Sequence, residues 1–392
     1  MKYGLRVMNL KFRWTIPTRI YFGEESLKKL PNEITKLGSK ALIITSKGWT
    51  IKRKEYFNEL VNNISINYEV YDEVKTNPTT TDVDRIVSMF KDKGIEVVIG
   101  FGGGSSIDVA KIVALILASS GSARDYLLRL KEPKDALPIV AIPTTHGTGS
   151  EVDKYAVVTD PKTHAKAAVI TPLIYPKVTI IEPKFTVTMP RTLTITTTID
   201  ALAHAVEAYI NENSNIIARM YARETIRNVY RYLPKVLNEP TNVEYRSILL
   251  WASMCAGIAI DQARASLLHA LEHPLSSYYD IHHGLGLYAL FIPWLEYVVD
   301  YAIEEFSELA RLVDPKLHEV EDRVAARKFV ELTKKLFMET GLEVKLRDYG
   351  VKEGDLPSLV DNAFKYLKAL IDNSPRKPKD RKELIEIYLK AL

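Results

Sequence analysis

Up to about residue 185, short runs rich in β-branched and aromatic residues, namely TRIYF, KALIIT, INYEVY, EVVIGF and PIVAIPTT, punctuate the chain. The later ones are separated by stretches such as TDVDRIVSMFKDKG, whose apolar positions recur at helical spacing. This alternation predicts βαβ units and a parallel sheet. Beyond LTITTTIDALAH the strand pattern stops, and long helical patterns run to the end. The expected architecture is an α/β domain with a parallel, Rossmann-like sheet over residues 1–185, followed by an all-helical domain over residues 186–392. No repeat, low-complexity tract or long Gly/Ser linker separates the halves. They are expected to pack together, with a ligand in the cleft between them.

Composition narrows the function classes. The 392 residues are 46% hydrophobic and 26% charged, an ordinary globular balance. A net charge of +4 over this length is too mild to argue for nucleic acid or an anionic membrane surface. The longest apolar run, IVALILA at residues 112–118, is far short of a membrane span. The one cysteine, Cys255 in WASMCAGIAI, excludes an intrachain disulfide and reads as core of a buried helix in a reducing, cytoplasmic protein. The opening MKYGLRVMNLKFRW lacks the apolar core of a signal peptide, and Met8 is a second candidate start. The basic run PRKPKDRKE reads as a solvated face leading into the last helix.

Four segments carry candidate chemistry. In EVVIGFGGGSSIDVAKIVALI a buried strand runs through glycines into a helix. Such glycines let the backbone approach a phosphate, and the free amides at a helix start attract its charge. Ser105 with Asp108 also has the form of a capping box, so a purely structural reading stands beside the phosphate cradle. The motif falls after several strands, whereas an ordinary dinucleotide fold carries its glycines in the first βα turn. The next strand leads into IPTTHGTGSEVDKYAVVTD, where Thr144, Thr145, Thr148 and Ser150 supply hydroxyls and Gly147 and Gly149 supply room.

In DALAHAVEAY, Asp200 and His204 stand four apart in an alanine-rich helical pattern, one turn apart on one face. Half of a metal site and a hydrogen-bonded pair in a helical core both fit these ten residues. Of the eight histidines, five lie between His204 and His283, four of them within LLHALEHPLSSYYDIHHG, where His269 and His273 are again four apart. Joined with Asp200 and His204, this cluster favours a metal site of one carboxylate and three imidazoles.

Together, GGGSSIDVAK, PTTHGTGSEV, DALAHAVEAY and HALEHPLSSYYDIHHG resemble, in order and spacing over essentially the whole chain, the signature set of the iron-containing (group III) alcohol dehydrogenase family, whose fold is dehydroquinate-synthase-like. PTRIYFGEESLKKL is similar to that family's opening hairpin and helix, and PRKPKDRKELIEIYLKAL to its closing helix. The resemblance implies a hydride transfer between NAD(P)(H) and an alcohol, aldehyde or ketone in the interdomain cleft. The metal would act as a Lewis acid on the substrate oxygen. It assigns Asp200, His204, His269 and His283 to one divalent metal, iron(II) foremost with zinc(II) as the alternative, and selects His283 over His282 because the family's last ligand precedes a glycine. His273 matches a histidine that lies beside the substrate without binding the metal, a candidate proton relay. Asn77, Pro78, Gly103, Gly104, Ser105, Thr144, Thr145, Thr148 and Lys166 match positions that line the cofactor, and Asp108 is grouped with them. Glycerol or other polyol dehydrogenases and, further off, dehydroquinate-synthase-like lyases share the design.

In KALIITSKGW, Ser46 stands where NAD-preferring members often carry an aspartate, and Lys47 follows it. A hydroxyl in place of a carboxylate predicts NADP over NAD, helped by the Lys47 ammonium if it points inward. His146, where relatives have alanine, is expected either to meet substrate or to face solvent. Asp261 and Arg264 are spaced for an intrahelical ion pair. The partners expected are a small alcohol or aldehyde and further copies of this chain.

Overall fold

The computed structural model describes residues 12–392. The readings of the N-terminal stretch, Met8 included, fall on residues outside these. Eight strands form: β1 (Arg19–Phe22), β2 (Lys40–Ile44), β3 (Asn67–Tyr71), β4 (Val97–Gly102), β5 (Ile139–Pro143), β6 (Tyr155–Asp160), β7 (Ala165–Ile170) and β8 (Val178–Ile181). Six of them make one parallel sheet in the order β1-β8-β5-β4-β2-β3, and β6 pairs antiparallel with β7 in a separate hairpin. β4 and β5 are buried along their whole length, which is why their sequences read as unbroken apolar runs.

Helices cover both faces. These are α1 (Leu30–Ile34), α2 (Lys54–Asn62), α3 (Thr80–Phe90), α4 (Gly104–Ser119) and α5 (Ala123–Leu127). Alternate strand residues serve opposite faces, as the period of two requires. Leu42, Ile44 and Val98 pack with Val83, Ile86 and Val109 of α3 and α4, while Ala41, Ile43 and Ile99 pack with Leu30, Ile34 and Leu60 of α1 and α2. After β2 the chain builds β3 on one side, then returns past β2 to place β4 on the other. The segments leaving β2 and β4 therefore diverge, and a crevice opens at the carboxyl ends of these strands.

The remainder is helical: α6 (Arg191–Ile210), α7 (Ile216–Asn238), α8 (Val243–Ala263), α9 (Leu267–Tyr279), α10 (His283–Val298), α11 (Ile303–Val313), α12 (Asp322–Thr340), α13 (Leu356–Tyr366), α14 (Lys368–Asp372) and α15 (Arg381–Ala391). They share one large core to which Leu202, Leu271, Phe291, Trp294 and Phe329 contribute. α8 is long and apolar enough to cross a membrane by length and composition, but 67% of that window is buried inside the protein, with Cys255 fully enclosed.

Two local expectations fail. The opening segment is no hairpin: β1 takes its partner from β8 in parallel register, Arg19 opposite Val178, and after Gly23, at φ 113°, the chain turns into short helical segments. YAVVTD, read with the polar loop before it, is β6, whose partner β7 was not singled out in the sequence.

Candidate active site

A cavity of about 490 Å³ runs along the crevice and into the boundary with the helical half. Every residue assigned above to cofactor, metal or proton relay lines it, from Ser46 after β2 to His283 at the start of α10. The sheet supplies one wall. Gly102, at φ 153°, turns the chain out of β4, and Gly103 is the N-cap of α4. A Cβ on Gly103 would lie 3.1 Å from Thr145 Oγ1, and one on Gly104 would lie 2.8 Å from Thr148 Oγ1. The glycines thus let the two polar loops abut, so backbone amides and hydroxyls share one surface.

Ser105 and Asp108 do not form a capping box. Gly103 caps α4 without a side-chain bond, and the buried Asp108 instead accepts from Ser150 Oγ at 2.6 Å and from the amide of Val157 at 3.0 Å. It faces the second loop and β6, one turn into a helix whose every side is buried. Beside it the fully buried Lys111 donates to Ser150 Oγ at 2.9 Å, to Asp153 Oδ1 at 2.7 Å and to Tyr155 O at 2.8 Å. Asp108 and Lys111 together pin the loop from residue 150 to 157 onto α4. On the far side Gly149, at φ 65°, lies backbone to backbone with Gly257 of α8: a Cβ on Gly257 would sit 2.5 Å from Gly149 O.

The helical half supplies the floor. Asp200 and His204 share one face of α6, with His204 Nδ1 3.4 Å from Asp200 Oδ1. α9 brings His269 Nε2 to 3.6 Å from the same oxygen, and α10 brings His283 Nε2 to 3.7 Å. Asp200, His269 and His283 form the compact set, with ligand atoms all within 4.8 Å of one another. His204 stacks on His269 with ring centroids 4.3 Å apart. Burial opposes the charge on Asp200, yet the three imidazoles hold its carboxyl well below the usual range.

Two carboxylates absent from the sequence assignments orient this set. Glu207, one turn beyond His204, accepts from His269 Nδ1, and Glu272 accepts from His283 Nδ1. Each bond places the proton on Nδ1 and leaves the Nε2 lone pair aimed at Asp200. Glu272, His273 and His283 also lie close together, but both Glu272 oxygens are engaged, by Ser276 and His283. His273 Nδ1 donates to Lys166 O at 3.0 Å, which leaves its Nε2 as an acceptor. Lys166 Nζ reaches Asn77 Oδ1 at 3.0 Å, and Asn77 Nδ2 bridges to Asp280 Oδ1 at 2.9 Å, tying the β3–α3 loop to the end of α9.

The donor set fits a cation. Asp200 Oδ1, His204 Nδ1 and His269 Nε2 are buried and have no hydrogen-bond partner, although all three converge on one point. Buried polar atoms are costly when unpaired, and here a single divalent ion would satisfy all three together with His283.

Three further expectations are corrected. His146 meets neither solvent nor the cavity: it is fully buried, with Nδ1 3.2 Å from Thr198 Oγ1 and Nε2 3.2 Å from the buried Arg246. Asp261 does not pair with Arg264, which ends α8 at φ 66°. It binds Lys154 Nζ and Tyr175 OH, each at 2.8 Å, across the boundary between the halves. Lys47 points outward, 58% exposed, to Glu73 at 2.7 Å, and a different cation, Arg53, lines the cavity beside Ser46.

Comparison with known proteins matches residues 17–183 to a family model described as iron-containing alcohol dehydrogenase, and residues 194–392 to the C-terminal model of the Fe-containing alcohol dehydrogenase family. The chain is 34% identical to a long-chain primary alcohol dehydrogenase of Thermoanaerobacter ethanolicus, over 94% of each chain. It is 32% identical to an NADH-dependent butanol dehydrogenase of Clostridium acetobutylicum, over 97% of this chain and 99% of that one. Among solved structures, an archaeal halo-thermophilic alcohol dehydrogenase from a Red Sea brine pool superposes with a TM-score of 0.91 at 30% identity, covering 98% of this chain and all of the other.

Proposed function

The chain belongs to the iron-containing alcohol dehydrogenase family, and from that premise we propose that it moves a hydride between NADP(H) and a small alcohol or aldehyde in the cavity between its halves. The observation that carries this reading is the convergence of the unpartnered Asp200 Oδ1, His204 Nδ1 and His269 Nε2 beside the glycine and threonine loops. Asp200, His204, His269 and His283 hold one divalent metal, iron(II) by the family's name, since this donor set suits zinc(II) equally. Such an ion supplies Lewis acidity to an alcohol or carbonyl oxygen.

The chain's own residues do the rest. Glu207 and Glu272 fix the tautomers of His269 and His283. His273 keeps Nε2 free to hold or pass a proton. Gly103, Gly104, Ser105 and the threonines Thr144, Thr145 and Thr148 present amides and hydroxyls to the cofactor phosphates, and Lys166 and Asn77 close the wall beside the metal. Met189, Leu193 and Ile260 add an apolar lining that keeps water from a transferring hydride.

The NADP preference rests on Ser46, whose hydroxyl lines the cavity where a carboxylate would repel a 2′-phosphate. A homo-oligomer is supported by β1, an edge strand beside which Trp14, Phe22 and Trp251 are 43%, 38% and 37% exposed. The enclosed single cysteine supports a cytoplasmic location. A panel of primary alcohols, diols and aldehydes, assayed by reduced-nicotinamide absorbance on enzyme of measured metal content, tests the reading. Turnover that does not scale with bound metal would overturn it.

A further inference from the structure

The segment after β2 holds an arrangement that the glycine and threonine loops do not explain. Ser46 leaves the strand, Gly48 follows at the cavity rim, and Arg53 reaches back from the start of α2. One edge of the Arg53 guanidinium is fixed by Thr188: Nε donates to Oγ1 at 2.6 Å and Nη2 to the carbonyl at 3.1 Å. The group also lies 5.1 Å from the centre of the Trp49 ring. Nη1 is left to face Gly48. A Cβ built on Gly48 would lie 3.6 Å from Arg53 Nη1 and 3.4 Å from Ser46 Oγ, so the missing side chain leaves a spot flanked by a guanidinium donor and a hydroxyl donor.

We propose that Arg53, Ser46 and Gly48 form the niche for the 2′-phosphate of NADP(H), with Arg53 as the specificity-determining cation and Lys47 outside it. This rests on the reading that the cavity binds NADP(H). A phosphate dianion suits a planar guanidinium whose orientation is already fixed, since little side-chain entropy remains to be lost. Lys47 serves the niche at a distance. The end of β2 runs beside Glu73, in a bridge between Ser46 and Glu73, and this carboxylate would repel an added phosphate. Lys47 at 2.7 Å and Arg85 at 3.8 Å neutralise it. Asp72, the other nearby acid, accepts from Thr50 Oγ1 at 2.6 Å.

The position of Gly48 supplies a clean test. The contacts a methyl group would make there are ordinary van der Waals distances, so Gly48→Ala fills the spot without displacing a neighbour. Calorimetric titration of the metal-loaded enzyme with NADPH and with NADH compares the parent with Gly48→Ala, Arg53→Gln and Lys47→Ala. The parent is expected to favour NADPH at least tenfold. Gly48→Ala and Arg53→Gln are each expected to weaken NADPH about tenfold or more with NADH changed less than about threefold, and Lys47→Ala to change neither by more than about threefold, as for an exposed pair. A parent that favours NADH refutes the NADP reading itself. A parent that favours NADPH, with both niche variants retaining its preference, refutes the niche and leaves that reading standing. Equal losses of NADPH and NADH in Arg53→Gln would place the guanidinium on the shared adenosine and overturn the proposal.

Discussion

Gly149 and Gly257 touch backbone to backbone where the loop after β5 meets α8, and neither has room for a side chain. This contact holds the threonine loop at a fixed distance from the helical half, because a methyl group on Gly257 would strike Gly149 O at 2.5 Å and the adjacent carbonyl carbon at 2.9 Å. Gly257→Ala is expected to destabilise the protein by about 1–3 kcal/mol, the usual cost of overpacking, and to weaken cofactor binding by shifting Thr148. Thermal unfolding and NADPH titration check both. An unchanged melting curve would show that the contact yields freely.

His269→Ala leaves Asp200 with two imidazoles and is expected to be metal-depleted and inactive yet folded, since the sheet half does not depend on it. Glu207→Gln should act more mildly, with metal affinity about 10- to 100-fold lower, because only the orientation and basicity of His269 change. Elemental analysis and circular dichroism of both variants decide. Full activity in chelated, metal-free enzyme would remove Asp200, His204, His269 and His283 from the mechanism.

His273→Ala is expected to lower turnover by about 10²- to 10⁴-fold, the range for loss of a general acid–base group, with metal content intact. Its Nδ1 bond to Lys166 O is what leaves Nε2 to act. Metal loss as severe as in His269→Ala would make His273 a ligand or a structural residue.

Ser46→Asp should reverse cofactor preference, since a carboxylate removes a donor and repels a 2′-phosphate. The check is kcat/KM for NADPH and NADH in parent and variant. An unaltered ratio would show that Ser46 does not face the ribose.

Burial, with Arg246 beside it, pushes His146 down from 6.5 to about 3. Its folded value is thus depressed. Between about pH 6.5 and pH 3 the unfolded chain binds a proton that the folded chain refuses, so this contribution to stability is intact above that window and is lost as pH falls through it. The loss is on the order of a few kcal/mol at the acid end. Denaturant melts of the parent and His146→Gln from pH 7 to pH 4 should converge as the pH falls. Parallel curves would show that His146 is not the group that titrates.

The metal set was legible in the sequence because helical periodicity turns a spacing of four into one face, so Asp200 and His204 could be placed together without a fold. What aims the imidazoles was not. Glu207 and Glu272 lie inside the same quoted segments, yet in an alanine- and leucine-rich helix a buried glutamate reads like an exposed one, and only the crossing of α6 with α9 and α10 gives each its histidine. Lys47 misled through proximity in sequence: it leaves the cavity for Glu73, while Arg53, seven residues beyond Ser46, returns to it. Asp261 likewise prefers a partner across the boundary between the halves to one three residues along its own helix. In the sheet, the buried runs of β4 and β5 announced themselves, whereas β1 waits for a partner more than 150 residues away, a pairing that no local pattern encodes.

That long-range pairing also orders events in time. β8 completes the sheet, and α6 begins only after it, at Arg191. During synthesis, therefore, every strand and both cofactor loops leave the ribosome ahead of Asp200, and domains generally fold as units in the order in which they emerge. Metal loading is a late event in the life of each molecule: a nascent chain has its dinucleotide crevice before it owns a single metal ligand.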